Sequence, residues 1–287
     1  MKISTEIHSA ALKVGEEKAI EILAKAGFDA WDLSMFRMCD YDWGTGMLRD
    51  NDHPFAGKDY LKFVRRLKQV GLDNGIVCNQ SHAPFPVRVK AIRDMQKRAI
   101  ECTAEAGGQI CIVHPDNNST PEQNAEMYFE LLPFAKDHGV KIATENMWNW
   151  DAGSPTSTPA ACSTTESFLA HLTAVNDPSF VACLDLGHAE MKGSGSGAVN
   201  MIRGLGHHLQ ALHIHDNDLL HDSHQLPYTM QMDFDAIARA LKEIGYNGYF
   251  TLEADNYLKP YNEETLLEGA KKMVAAARRM AEVYERD

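Results

Sequence analysis

The chain has no cysteines at CxxC spacing. Its six, Cys39, Cys78, Cys102, Cys111, Cys162 and Cys183, stand apart from one another, and Cys78, Cys111 and Cys183 fall inside apolar runs. A zinc ribbon or a dithiol redox motif is thereby excluded, and reduced, buried thiols in a cytoplasmic protein are expected. Long hydrophobic runs are missing too. No stretch approaches about 18 uninterrupted apolar residues, and the N-terminal MKISTEIHSA lacks the apolar segment of a secretion signal, so neither a membrane span nor export is expected. Positive charge is scarce, with 28 Lys plus Arg against 40 Asp plus Glu and a formal net charge of −12. That argues against a broadly basic surface and disfavours nucleic acid as a partner. No GxGxxG follows the first apolar run, and GSGSG at 193–197 comes late and reads as a mobile loop rather than a phosphate cradle.

Histidine is abundant instead. The 13 histidines are roughly twice an average complement, and many stand just after apolar runs. The densest stretch is Leu209 to Pro227, LQALHIHDNDLLHDSHQLP, where His213, His215, His221 and His224 are interleaved with Asp216, Asp218 and Asp222 beyond a short buried strand at 211–214. A single histidine is commonly a satisfied polar residue, so this cluster is judged by what the other strands offer.

Apolar runs and helical spacings alternate along the chain. Strands are predicted at 2–7, 29–35, 75–80, 109–113, 141–145, 180–184, 211–214 and 249–253. Helices are predicted at 15–26, 58–70, 87–106, from the Thr120-Pro121 cap onward, and at 165–175, 198–205, 233–244 and 263–284. Eight such units in 287 residues, without a break in composition, fit one closed (β/α)8 barrel over 1–287 better than a doubly wound open sheet. In a parallel barrel the C-terminal strand ends open on one face. There the sequence places His8, then Asp32 and Ser34, then His82, His114, Glu145, Asp185 with His188, His213 with His215, and Glu253 with Asp255. A ring of carboxylates and imidazoles at one mouth suits a divalent cation such as Mn²⁺, Zn²⁺ or Co²⁺.

The motifs on those strands are SHAPF from Ser81, VHP from Val113, TENM from Thr144, CLDLGHA from Cys183, HIHDN from His213, DSH from Asp222 and LE from Leu252. Together they resemble the xylose isomerase-like TIM-barrel superfamily, which holds sugar isomerases and epimerases, inosose dehydratase-like enzymes and endonuclease IV. The resemblance implies a metal site of Glu145, Asp185, His213 and Glu253, with Mn²⁺ foremost and Zn²⁺, Co²⁺ or Mg²⁺ as alternatives. It also implies an isomerase or epimerase of a small sugar-like carbonyl compound, in which Glu145 and Glu253 exchange a proton through a metal-stabilised enediolate. His82, His114, His188, His215 and Trp148 would bind substrate, and Trp43 and Trp150 lie in loops where they could cover sugar faces. His213 and His215 share a strand face, and the superfamily's His-x-x-Asp pattern favours His213 as the ligand.

His82, His114, His188, Asp222 and His224 also match the additional ligands of the three-zinc endonuclease IV, which keeps open a phosphodiesterase acting on abasic DNA. Against it, NMWNW follows Thr144-Glu145 where the nuclease has an Asn-Thr-Ala-Gly continuation, and DSHQLP lacks its Arg and Glu neighbours. A dehydratase or C-glycoside-cleaving lyase, a non-enzymatic sugar-binding barrel and a homo-oligomer are compatible with the same scaffold. The nearest candidates for a phosphate clamp are Arg37 and Arg49.

Overall fold

The computed structural model describes residues 1–286. Its strands are β1 (Ile3–Thr5), β2 (Ala30–Ser34), β3 (Val77–His82), β4 (Ile110–Ile112), β5 (Lys141–Glu145), β6 (Phe180–Asp185), β7 (Leu209–His213) and β8 (Phe250–Leu252). Helices follow them in turn: α1 (Glu16–Ala26), α2 (Tyr60–Asp73), α3 (Gln96–Ala106), α4 (Pro121–Asp137), α5 (Thr165–Val175), α6 (Ala198–Leu205), α7 (Phe234–Glu243) and α8 (Leu266–Arg286). Strands β2 to β7 are neighbours in sequence order within one parallel sheet, and β1 pairs in parallel with β8. Two single bridges join these sheets into a ring, Glu6 with Asp32 at one seam and Ile214 with Leu252 at the other. The expected (β/α)8 TIM barrel is the fold.

Each helix lays an apolar stripe on the ring. In α7 the buried residues Phe234, Ile237, Ala238 and Leu241 recur at helical spacing, and in α8 Leu266, Ala270, Met273, Ala277 and Met280 do the same. Inside the ring, one side is filled by Ile112, Ala143, Val181, Cys183 and Ala211. These are small or branched residues, as a narrow barrel requires. The other side is polar: Ser4 Oγ donates to Asn79 Oδ1 at 2.6 Å, Asn79 Nδ2 donates to Thr251 Oγ1 at 3.1 Å and Gln80 Nε2 donates to Asp32 Oδ2 at 2.9 Å. Most polar groups there satisfy one another, as burial demands, while the Asp32 carboxylate keeps one oxygen without a partner.

The structure differs from the sequence reading in several places. His8 does not end a strand but opens a short helix, His8–Val14. β3 runs two residues past its predicted end, because pairing with β2 continues through Ser34 and His82. The helix predicted at 87–106 is split into Lys90–Arg93 and α3. The long loops carry hairpins, Tyr41–Asp42 with Met47–Leu48 and Trp148–Trp150 with Ser157–Pro159. The GSGSG segment, expected as a mobile loop, is packed: Ser194 is buried with its hydroxyl 2.7 Å from that of Ser157, and a Cβ on Gly195 would lie 2.0 Å from the Ala189 carbonyl. All six cysteines are free, and all but Cys39 are buried, as expected. No helix among the described residues is long and apolar enough to cross a membrane.

Helix α4 begins with a complete capping box. Gln123 N–H donates to Thr120 Oγ1 at 3.3 Å, Thr120 N–H donates to Gln123 Oε1 at 2.9 Å, and Pro121 occupies the first helical position. Thr120→Ala should lower the unfolding free energy by about 1 kcal/mol, read as a shifted midpoint in urea titration with unchanged slope.

Candidate metal centre and active site

Backbone register decides which side chains meet. Asp185 is paired with His213, and Cys183 with Glu145, across adjacent strands, while Glu253 N–H donates to the Ile214 carbonyl at 2.9 Å. As a result Glu145, Asp185, His213 and Glu253, all buried, place one donor atom each within 4.8 Å of one another. His213 Nδ1 lies 3.0 Å from Glu145 Oε1 and 3.4 Å from Glu253 Oε2. This is the ligand set read from the sequence.

Two further groups flank it. On one side His82 Nε2 and His114 Nε2 lie 3.5 and 3.1 Å from Glu145 Oε2. On the other, His188, His215, Asp222 and His224 converge. Asp222 Oδ1 is 3.4 Å from His215 Nε2 and 3.0 Å from His224 Nε2, Asp222 Oδ2 is 3.4 Å from His188 Nε2, and His215 Nε2 is 3.1 Å from Asp185 Oδ1. The structure thus places His215 beside Asp185 and Asp222 rather than beside Glu145. Trp148 lines the same cavity near the edge of His188, with ring centroids 6.4 Å apart.

Whether these groups suit a cation is visible in their hydrogen bonds. Assigning tautomers from geometry, Nδ1–H of His82 donates to the Ala83 carbonyl at 3.0 Å, that of His188 to Asn146 O at 2.8 Å and that of His224 to Glu253 O at 2.7 Å. Each leaves Nε2 facing a carboxylate, the arrangement that orients metal-binding imidazoles. Asp185 Oδ2, His215 Nε2 and Asp222 Oδ1 are buried without a hydrogen-bond partner, because their close approaches are out of line for one. Three unpartnered atoms crowded among these donors fit a shared cation.

The electrostatics agree. Burial alone would raise Glu145, but the charge of His213 and hydrogen bonds from His114, His213 and His82 hold it well below the ordinary carboxylate range. For Glu253 burial prevails, reinforced by Glu145 and Asp185 and opposed by His213 and His224, so its carboxyl is pushed well above that range. Burial disfavours a charged His188, yet Asp185 and Asp222 raise it to about 10. His114, buried and beside His82, is pushed down to about 4. A buried pocket so rich in carboxylate requires positive charge, and protonated imidazoles supply it where no ion does.

With the geometry in hand, the chain can be compared with known proteins. Residues 20–279 match the xylose isomerase-like TIM barrel family. The chain belongs to that family. It is 28% identical over 260 residues to the uncharacterized protein MJ1311 of Methanocaldococcus jannaschii, covering 83% of this chain and 78% of that one. A second relative, the uncharacterized protein y4fM of Sinorhizobium fredii, is 27% identical over 267 residues, 77% of this chain and 78% of that one. Among solved structures, a D-tagatose 3-epimerase-like protein superposes with TM-score 0.73 at 21% identity, covering 99% and 98% of the two chains. The 3-keto-D-glucoside 4-epimerase YcjR from E. coli superposes with TM-score 0.70 at 14% identity, covering 97% and 99%. At these identities the structural likeness shows a shared fold.

Within this family member, some expectations need correction. Arg49 is paired with Asp42 at 2.6 Å, and Arg37 lies 3.7 Å from Glu16, so neither is a phosphate clamp in the cavity. Trp150 is half exposed and stacks on His221, outside the cavity, whereas Trp43 does line it. His8 belongs to a neighbouring cavity.

Other residues were missed. Asn146 exchanges hydrogen bonds with the Asp185 backbone at 2.9 and 2.8 Å and so locks β5 to β6 beside the ligands. Asp216, fully buried, accepts the backbone N–H groups of Asn217, Thr229, Met230 and Met232 at 2.8–3.1 Å. It thereby folds back the loop that delivers Asp222 and His224. Asp216 stands in the HIHDN motif, where the sequence signal was its adjacency to His215; Asn146 follows Glu145 directly. Phe85, which lines the cavity, ends the SHAPF motif, whereas Phe36 and Arg88, which also line it, carried no such signal.

Gly187 packs directly against the His215 ring. A Cβ there would lie 2.0 Å from His215 Cε1, so Gly187→Ala must displace the ring. Urea unfolding in EDTA, which removes metal from the comparison, should show a loss of about 1–3 kcal/mol.

Proposed function

We propose that this protein is a divalent-metal-dependent epimerase or isomerase of a small, uncharged sugar-like carbonyl compound. The observation that carries the reading is the convergence of Glu145 from β5 and Glu253 from β8 on His213 and Asp185 at the floor of a cavity of about 370 Å³. Glu145, Asp185, His213 and Glu253 would hold the ion, and three carboxylates with one imidazole suit Mn²⁺ or a similar cation. When bound, the ion supplies Lewis-acid polarisation of a carbonyl and an adjacent hydroxyl oxygen.

The chain's own residues account for the rest. One of the two glutamates takes the proton from the carbon next to the carbonyl, and the bonding pair moves onto the carbonyl oxygen. The other glutamate returns a proton to the opposite face, inverting that carbon, and exchange with water restores both carboxyls. His188 and His114 line the cavity where substrate hydroxyls would lie, and Trp148, Phe85 and Trp43 offer apolar ring faces above them. Arg88 is the one Lys or Arg side chain lining this cavity among the described residues, and it stacks on Trp43 at 5.8 Å. That supports a neutral substrate over a phosphorylated one. The solved structures with this fold include a D-tagatose 3-epimerase-like protein and a 3-keto-D-glucoside 4-epimerase, which supports the same reading.

A second reading rests on the two flanking donor groups, which match a three-metal phosphodiesterase. Elemental analysis giving one ion per chain, with no binding of abasic duplex at low salt, would remove it.

The primary test is a panel of ketoses and keto-glycosides incubated with the Mn²⁺-loaded protein in D2O. Deuterium should appear at the carbon beside the carbonyl. Glu145→Gln and Glu253→Gln should each lower turnover by about 10²–10⁴-fold, and EDTA should abolish it until Mn²⁺ is restored. Absence of exchange across the whole panel sinks the proposal.

A further inference from the structure

The imidazoles of the cleft are not all held in the same way. His82, His188 and His224 each direct Nδ1–H to a backbone carbonyl and turn Nε2 inward. His213 is reversed. Its Nδ1 faces Glu145 and Glu253, and its Nε2, buried without a hydrogen-bond partner, faces away from them toward the Asp32 carboxylate, 3.5 Å from Oδ2.

Asp32 is fully buried on β2, across the barrel from β7. Gln80 Nε2 donates to Oδ2 at 2.9 Å, and Oδ1 has no partner. A buried carboxylate with so few donors destabilises the fold unless something nearby uses its charge. Its backbone carbonyl accepts Ile7 N–H at 3.2 Å, at the seam where β1 meets β2, so its position is set by ring closure itself. The face of the His213 ring is in turn held by His82, stacked at 5.2 Å and 16°.

Resting on the metal-centre reading above, we infer that Asp32 is a positioning residue for the metal site: it keeps the proton of His213 on Nε2, so that Nδ1 presents its lone pair to the ion. A carboxylate behind a ligating imidazole fixes the tautomer and ring orientation and raises the basicity of the donor nitrogen. The backbone carbonyls behind the other imidazoles do the first two with less charge. His213 belongs to the central donor set and is backed by a full negative charge.

The test reads metal binding rather than turnover. Competition with a chelating fluorophore should show Mn²⁺ affinity falling by about 10–100-fold in Asp32→Asn, since a neutral amide removes the negative charge behind His213. Its unfolding midpoint in EDTA should be little changed. A purely structural role would lower that midpoint and leave the affinity alone. Should Asp32→Asn fail to fold, long-range ¹H–¹⁵N spectra of the Zn²⁺-loaded native protein decide the question. They should show His213 protonated at Nε2 and metal-shifted at Nδ1, and the opposite assignment overturns the inference. Equal Mn²⁺ affinity in native protein and Asp32→Asn also overturns it and leaves the epimerase reading standing. A native protein that binds no divalent ion at micromolar concentration removes both.

Discussion

The protein depends on the burial of several carboxylates within a few ångströms of each other. Glu145, Asp185 and Glu253 are almost wholly withdrawn from water at the mouth of the barrel, and with Asp222 their mutual repulsion in a low-dielectric site is too large to leave uncompensated. The surrounding imidazoles are the compensation. Their inward nitrogens meet carboxylate oxygens; the outward nitrogens of His82, His188 and His224 are tied to main chain, and that of His213 faces the Asp32 carboxylate. A site of this kind is costly to stability and rigid, which is what a reaction requiring carboxyls at fixed positions needs.

That rigidity is inherited from the backbone. Parallel pairing sets Asp185 level with His213, and the two bridging seams bring β1 and β8 round to complete the ring. The donors Asp222 and His224 sit on a loop instead. Asp216 gathers four backbone N–H groups of the Asn217–Met232 return, while Gly187 leaves room for the His215 ring. Loop-borne donors are thereby held almost as firmly as strand-borne ones.

Much of this was legible beforehand. Eight alternating units, the terminal position of each acid or imidazole on its strand, and the HIHDN, DLGH and DSH phrases led to the barrel and to the central donor set. His215, expected to meet substrate or to stand behind the metal site, lies against Asp185 and Asp222, where Gly187 leaves space for its ring. The misreadings have physical causes. The GSGSG segment reads as flexible by composition, but its glycines are there for close approach to the Ala189 and Ser157 carbonyls. Arg37 and Arg49 are cationic residues in a suitable loop, but local acids already engage them.

The sequence by itself determined the fold class and the face on which carboxylates and imidazoles gather, because strand periodicity and strand-end position are local properties of the chain. Only the tertiary structure decided that His213 is reversed relative to its neighbours, that Asp32 stands behind it and that Arg88 is the one Lys or Arg lining the cleft among the described residues. Those facts depend on side-chain rotamers and on ring closure, which brings β2 opposite β7 across some 180 residues of chain. No spacing rule within one strand could have specified them.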